Sequence, residues 1–309
     1  MLYKNANTAW KRVSEGTRRS VVFNDDCIEL LKAVPDKSTS LVVTSPPYCM
    51  GKEYEPGNTI DDFVRAHELV LPEVARLVED GGSVCWQTGY HVRKNELMPL
   101  DYLVLDIVRR LKLPLTLRNR VVWHFGHGLH PPRRFSGRHE VIMWFTKGDD
   151  YHFDLDAIRV PQKYPGKKAS RGPNAGEYSG NPLGKNPSDV WDIPNVKANH
   201  CEKLDHPCQY PVALVRRLVC ALTRPDDIVL DPFCGVGSTG VAALLEGRRF
   251  IGAELMPEYA VQAVERLTET LRGEVAVRPD EQVAIPSERS AVARRPDSWP
   301  SLVPAGRLG

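Results

Sequence analysis

The sequence predicts an α/β fold built on a doubly wound, mostly parallel sheet. Three observations carry that prediction. Short apolar runs of strand character alternate along the chain with stretches of helical period. One run, SLVVT at Ser40–Thr44, leads straight into two prolines. Another, at Ile228–Leu230, leads into a glycine-rich loop. In doubly wound sheets ligands bind beyond the carboxyl ends of the strands, so both junctions are candidate sites.

Taken in order, residues 1–20 are polar and basic and are expected to be a flexible arm. Val21–Asn24 is a short apolar run, followed by Asp25-Asp26 and an apolar-periodic stretch to Ala33: strand, turn, helix. Pro35-Asp36 breaks that helix. After the strand Ser40–Thr44, Pro46 and Pro47 forbid further ladder or helix, so the chain leaves the sheet in a rigid extended turn. A helix is expected from Ile60 to Glu79, with Gly81-Gly82 ending it. Ser83–Gln87 reads as a strand, and Asp101–Leu111 as a helix with Leu103, Ile107 and Leu111 on one face. Val121–Trp123 and Glu140–Phe145 read as neighbouring strands. The long loop between them, His124–His139, is rich in Gly, Pro, His and Arg, and long loops in compact domains are often functional.

From about Lys147 to Asp205 no period persists, and Gly, Pro, Asn and Lys dominate. Order returns with a helix at Tyr210–Leu222 carrying Val215, Leu218 and Leu222. Then come the strand Ile228–Leu230, the glycine loop, a helix to Glu246, the strand Phe250–Ala253, and a helix from Pro257 to Leu271. Pro257 suits the first turn of that helix. Residues 273–309 are Pro-, Arg- and Ser-rich without periodicity and are expected to be a disordered tail. The expected organisation is therefore one α/β domain of residues 21–148 and 206–272, interrupted by an insert at 149–205.

Composition bounds the function classes. The formal net charge of +2 is nearly neutral, yet basic residues outnumber acidic ones between Lys112 and Arg171, and a local basic patch can bind polyanions. The seven cysteines are scattered, without C-x-x-C and without a secretory leader ahead of them. That pattern predicts reduced thiols in a cytoplasm. No apolar run approaches the roughly 20 residues that span a bilayer, so no membrane role is expected. His200, Cys201, His206 and Cys208 fit no common zinc spacing, and no metal is expected.

The glycine loop, IVLDPFCGVGSTG at 228–240, shows what it would hold. Gly235 and Gly237 allow a tight turn and close approach of a ligand. Ser238 and Thr239 stand where the next helix begins, and either could cap it. There is no G-x-x-x-x-G-K-[ST] and no G-x-G-x-x-G. Asp231 at the loop's entrance would repel phosphate and suits an ammonium group. A second acid, Glu254, ends the next strand, where a carboxylate can accept both hydroxyls of a ribose. The pair predicts a ligand with an amino-acid end and a ribose but no phosphates, and S-adenosylmethionine fits.

Ser45-Pro46-Pro47-Tyr48 after an apolar strand resembles the catalytic motif of amino-group DNA methyltransferases, whose general form is [DNS]-P-P-[YFW]. Asp231-Pro232-Phe233-Cys234-Gly235 resembles their cofactor loop. Asn24-Asp25-Asp26-Cys27, Glu140–Gly148, and His206-Pro207 with Gln209-Tyr210-Pro211 resemble further family segments. The order, catalytic motif, then variable segment, then cofactor loop, is similar to the beta class, in particular to its N4-cytosine-specific type II restriction-modification enzymes.

The resemblance implies a Rossmann-like S-adenosylmethionine-dependent methyltransferase fold. It implies catalysis at Ser45, Pro46, Pro47 and Tyr48. It places the cofactor against Asp26, Thr44, Asp231, Pro232, Phe233, Cys234, Gly235, Gly237, Ser238, Thr239 and Glu254, with His206, Gln209 and Pro211 beside them. The Ser45 side chain and the Pro46 carbonyl would accept the two hydrogens of an exocyclic amine, and Tyr48 would stack on a base flipped from the duplex. In the family, serine after threonine accompanies N4-cytosine enzymes, whereas aspartate or asparagine at the serine position accompanies N6-adenine enzymes. The partner is double-stranded DNA. Whether a cognate restriction endonuclease accompanies the protein stays open. So do an N6-adenine activity and a non-catalytic DNA-binding role. The insert at 149–205 falls where the family places target recognition. It offers Lys163, Lys167, Lys168 and Arg171 for phosphates, and the His124–His139 loop offers Arg133, Arg134 and Arg138.

Overall fold

In the computed structural model, which describes residues 1–48, 59–94, 96–126, 128, 130–197, 200–278 and 299, the elements alternate from the amino terminus. They run β1 (Leu2–Tyr3), α1 (Ala6–Ser14), β2 (Ser20–Phe23), α2 (Cys27–Ala33), β3 (Thr39–Thr44), α3 (Ile60–Leu77) and β4 (Val78–Thr88). A hairpin of β5 (Tyr90–Arg93) and β6 (Glu96–Pro99) follows, then α4 (Leu100–Arg110), β7 (Thr116–His124), β8 (His139–Thr146) and β9 (Val190–Asp192). The chain continues through α5 (Val212–Leu222), β10 (Ile228–Asp231), α6 (Ser238–Leu245), β11 (Arg249–Ala253) and α7 (Pro257–Arg272).

Among the described residues one sheet takes the order β1-β2-β11-β10-β3-β4-β8-β7-β9. Every neighbouring pair is parallel except those made by β8, which runs against β4 and β7. The inner strands β2, β3 and β10 are buried along their whole length. Helices on both faces of a parallel sheet impose that, and it is why these strands read as unbroken apolar runs. From β10 the chain passes through α6 to β11 on one side, and from β3 through α3 to β4 on the other. The sheet therefore reverses its winding between β10 and β3, and a crevice opens at their carboxyl ends.

The doubly wound sheet is as expected, and four expectations are corrected. The first 20 residues are no loose arm. β1 pairs with β2, and α1 buries Ala9 and Val13 completely, because Asn5 caps a short amphipathic helix that covers β2. Gly81 and Gly82 do not end α3. The helix stops at Leu77, where the Lys147 ammonium donates to the carbonyls of Ala75, Arg76 and Val78. The two glycines lie inside β4, Gly81 at φ 82° donating its N–H to Lys147 O. In α4 the buried face is Leu100, Val104, Ile107 and Val108, and Leu111 is exposed. Neither Ser238 nor Thr239 caps α6. Gly237, in a left-handed conformation, holds the cap position, and both hydroxyls turn to other partners.

The chain divides into two compact units, Met1–Phe153 with Asp189–Arg278, and Asp154–Ser188 with Pro279–Gly309. The insert is thus narrower than 149–205. Residues 189–205 belong to the first unit because β9 adds to the sheet edge and buries Trp191. Among its described residues the second unit has a 3-10 turn at Asp156–Ile158 and isolated antiparallel bridges at Val160–Lys185 and Lys168–Tyr178. Of the expected tail, 273–278 is described, with Gly273 closing α7 and the Arg278 N–H donating to Glu202. In the second unit Trp299 meets Tyr178 edge-on at 5.8 Å. The rest of the tail lies outside the described residues.

Candidate active site

Because every strand of the main sheet but β8 runs the same way, their carboxyl ends deliver side chains to one edge. Asp25 and Asp26 follow β2, Glu254 follows β11, Pro232 follows β10, and Ser45 follows β3. Gln87 lies near the end of β4, Phe125 follows β7, and Asn195 lies shortly after β9. β8, reversed, brings Glu140 to the same edge from its amino end. All of these line one cavity of about 680 Å³. The catalytic turn expected at Ser45–Tyr48 and the glycine loop expected at Asp231–Thr239 thus open on a single space.

What joins them is Asp231. Its side chain is fully buried, and its carboxylate accepts four hydrogen bonds. Thr44 Oγ1, at the end of β3, donates at 2.5 Å. Thr239 Oγ1, in the first turn of α6, donates at 2.6 Å, the Tyr210 hydroxyl at 2.9 Å, and the Phe233 N–H at 3.0 Å. Burial raises the Asp231 carboxyl above the usual carboxylate range, and these four donors oppose the rise. Asp231 and Thr44, both expected to meet the cofactor, are buried behind the cavity wall and are not among the residues that line it. The four donors saturate a carboxylate whose water has been removed, and a buried acid must be so satisfied.

The turn itself is wired to two residues that the motifs did not single out. Ser45 Oγ lies 3.5 Å from the Tyr48 hydroxyl, which donates to Glu140 Oε2 at 3.2 Å. Gln87 Nε2 donates to the Tyr48 oxygen at 3.3 Å and also to Glu140. Burial raises Glu140 above the usual carboxylate range, against the two donors. Burial and the facing Glu140 raise the Tyr48 phenol as well. A signal for Glu140 was present in the sequence: an acid opening an otherwise apolar strand, EVIMWF.

Comparison with known proteins places this geometry. A family model described as DNA methylase matches residues 39–265. The chain belongs to this DNA methylase family. Type II methyltransferase M.BglII of Bacillus subtilis is 42% identical over 267 residues, spanning 86% of this chain and 71% of the relative. DNA adenine methyltransferase YhdJ of Escherichia coli is 32% identical, spanning 82% of this chain and 84% of the relative. Among solved structures, PvuII DNA methyltransferase (cytosine-N4-specific) superposes with a TM-score of 0.63 at 24% identity, covering 84% of this chain and 94% of that one. TTHA0409 of Thermus thermophilus, complexed with S-adenosyl-L-methionine, gives 0.59 at 27% identity, covering 84% and 99%.

The remaining expected residues of this DNA methylase divide into those that face the cavity and those that hold its walls. Pro232, Phe233, Gly235, Glu254, Asp26, His206 and Gln209 line it. Cys234, Gly237, Ser238, Thr239 and Pro211 do not. Cys234 is buried with its thiol pushed up by burial, Ser238 Oγ accepts from Arg266, and Pro211 precedes α5. Gln209 reaches the wall, but its amide is committed to Leu204 N–H and Glu202 O. Asp26 caps α2 through Ile28 N–H. The His206 imidazole is pushed down to about 4, first by burial and then by Lys203, so it is neutral at physiological pH. It sits against Gly235, where an added Cβ would come within 3.1 Å of Nε2.

Of the expected DNA contacts, Arg133 and Arg134 are exposed on the loop between β7 and β8, and Arg138 is half-buried there. Lys163, Lys167, Lys168 and Arg171 lie in the second unit, where Lys163 covers the Tyr164 ring and Lys168 that of Tyr178.

Glu254 is the most informative titrating group. Its oxygens accept from Gly235 N–H at 2.9 Å and Met256 N–H at 2.8 Å, while burial lifts its carboxyl from 4.5 to about 7. A carboxyl whose pKa is higher folded than unfolded adds stability that is full below pH 4.5 and lost as pH rises through 7. Urea unfolding at a series of pH values should therefore show wild type losing stability relative to Glu254→Gln as pH rises from 5 to 8. A difference that stays constant over that range contradicts the assignment.

Proposed function

We propose that this DNA methylase transfers a methyl group from S-adenosylmethionine to the exocyclic N4 amine of a cytosine flipped out of double-stranded DNA. The observation that carries the proposal is the single cavity into which the Ser45–Tyr48 turn and the Phe233–Gly235 bend both open. The cavity's chemistry suits the cofactor. Glu254 presents a carboxylate beside the bend, and Asp25 and Asp26 present two more at the neighbouring strand end. These are the groups that take ribose hydroxyls and an ammonium in place of Asp231. When bound, the cofactor supplies a methyl group activated on a sulfonium. Its presence in the TTHA0409 structure supports the assignment.

The chain's own part is positioning and proton handling. Ser45 Oγ and the Pro46 carbonyl accept the two amine hydrogens and favour charge that develops on nitrogen. Pro46 and Pro47 fix the turn in advance of binding. Tyr48 lies along the base. After transfer the nitrogen carries one proton too many, and neither a hydroxyl nor an amide carbonyl holds a proton at neutral pH. The Ser45–Tyr48–Glu140 chain passes it outward: Ser45 Oγ takes the excess proton from nitrogen as its own proton passes to the Tyr48 oxygen and the Tyr48 proton moves to Glu140 Oε2. A carboxylate made more basic by burial is the better acceptor.

Cytosine is supported by Ser45 following Thr44, the pairing that accompanies N4-cytosine enzymes in the resemblance. A second reading, N6-adenine, is favoured by the 32% identity to YhdJ, an adenine methyltransferase. Base-resolved methylation of plasmid DNA from cells expressing the protein decides between them. N4-methylcytosine at one short motif, absent with Ser45→Ala, is the expected result. N6-methyladenine overturns the base, and unmodified DNA overturns the reaction.

The proton path has its own test. In single-turnover methylation, Glu140→Gln should slow transfer by about 10²-fold at pH 8. The wild-type rate should fall as pH drops through the raised Glu140 range, and the variant's rate should be flat there. A variant that keeps the wild-type pH profile removes Glu140 from the path.

A further inference from the structure

Phe135 is 99% exposed, and it stands in the sequence Pro131-Pro132-Arg133-Arg134-Phe135-Ser136-Gly137-Arg138. A ring this exposed gains little from the fold, and among the described residues Phe135 is the most exposed of the large apolar side chains. Two further observations say what it meets. First, the loop that carries it starts at Phe125 and ends at Glu140, and both residues line the cavity. Phe135 lies five residues before Glu140, so their Cα atoms are within about 18 Å of each other. Second, the loop contains no acid between Phe125 and His139. Its arginines therefore give the rim around the ring one sign of charge, which suits a phosphate backbone.

The loop is also held in place. The Phe125 N–H donates to Arg138 O at 3.0 Å, continuing the β7–β8 ladder. Arg138 reaches back to Gly126 O at 3.2 Å. Gly137 rests on Tyr90 so closely that an added Cβ would fall 1.8 Å from the phenol oxygen. The Arg134 guanidinium lies 5.8 Å from the Tyr90 ring centre. Tyr90 opens the β5–β6 hairpin, three residues beyond Gln87 of the cavity. An exposed ring on a loop braced at its base is presented to a partner, and apolar side chains that enter a base step are one recurring use of such a ring.

We propose that Phe135 enters the duplex at the target step and fills the space the flipped base leaves, with Arg133 and Arg134 on the adjoining phosphates. The proposal rests on the methyltransferase reading above. Filling that space offsets lost stacking, so Phe135 matters only where the target base starts stacked and paired. A base that is already unpaired costs less to extrude.

The test is single-turnover methylation of two synthetic duplexes carrying the site found by plasmid sequencing. In one the target base is correctly paired, and in the other it faces an abasic position. Phe135→Ala should lose about tenfold or more on the paired duplex and stay within about threefold of wild type on the other, and Phe135→Leu should recover most of the loss. Wild-type rates on the paired duplex with Phe135→Ala overturn the inference. So do equal losses on both duplexes, which would assign the ring to general binding or folding. If wild type methylates neither duplex, the methyltransferase reading itself fails, and the inference with it.

Discussion

The buried carboxylate of Asp231 is the constraint on which the site depends. It is the point where β10, β3, α6 and the segment before α5 are tied together, through Thr44, Thr239, Tyr210 and the Phe233 N–H. Taking a carboxylate out of water is costly, and that cost is recovered only if every donor is in place. The arrangement is therefore close to all-or-none: the end of β3 and the glycine loop are correct relative to each other, or the acid is left unsatisfied. Rigidity of this kind sets a geometry before a ligand arrives.

Around that anchor, sheet polarity does the rest. Parallel strands place their carboxyl ends on one edge, so acids that are far apart in sequence, Asp25, Asp26 and Glu254, share one cavity with Ser45. The one strand of the main sheet that runs against the rest, β8, contributes the acid at its beginning, Glu140, where the others contribute residues at their ends. Two kinds of acid result. Asp231 is spent on structure. Glu140 and Glu254 face the cavity, and burial makes both more basic than ordinary carboxyls, which suits one to receive a proton and leaves the other sensitive to pH.

Much of this was legible in the sequence, because inner parallel strands are apolar throughout and the breakers after them, Pro46-Pro47 and Gly235-x-Gly237, are unambiguous. The less legible parts share one physical cause: they are decided by partners distant in sequence. Asp231 looks like a ligand at the mouth of a loop, and only Thr44 and Tyr210, 187 and 21 residues away, show that it is an anchor. Lys147 ends α3 from 69 to 72 residues away, where local pattern offered Gly81-Gly82. The first 20 residues look like a charged arm because only Ala9 and Val13 of α1 are fully buried, and those two gain meaning only beside β2. Glu140 was visible as an acid opening an apolar strand, but only the antiparallel direction of β8 shows that this end reaches the cavity.

The central claim, that Asp231 positions the proposed catalytic turn without touching the cofactor, is tested most directly through Thr44. Thr44→Val removes one donor at nearly constant shape. The single-turnover methyl-transfer rate and the S-adenosylmethionine affinity are then measured side by side. If the account holds, the rate falls about tenfold or more while the affinity stays within about threefold of wild type, because a small displacement of the turn is costly to transfer and not to binding. An unchanged rate, or an affinity that falls in step with the rate, would contradict it.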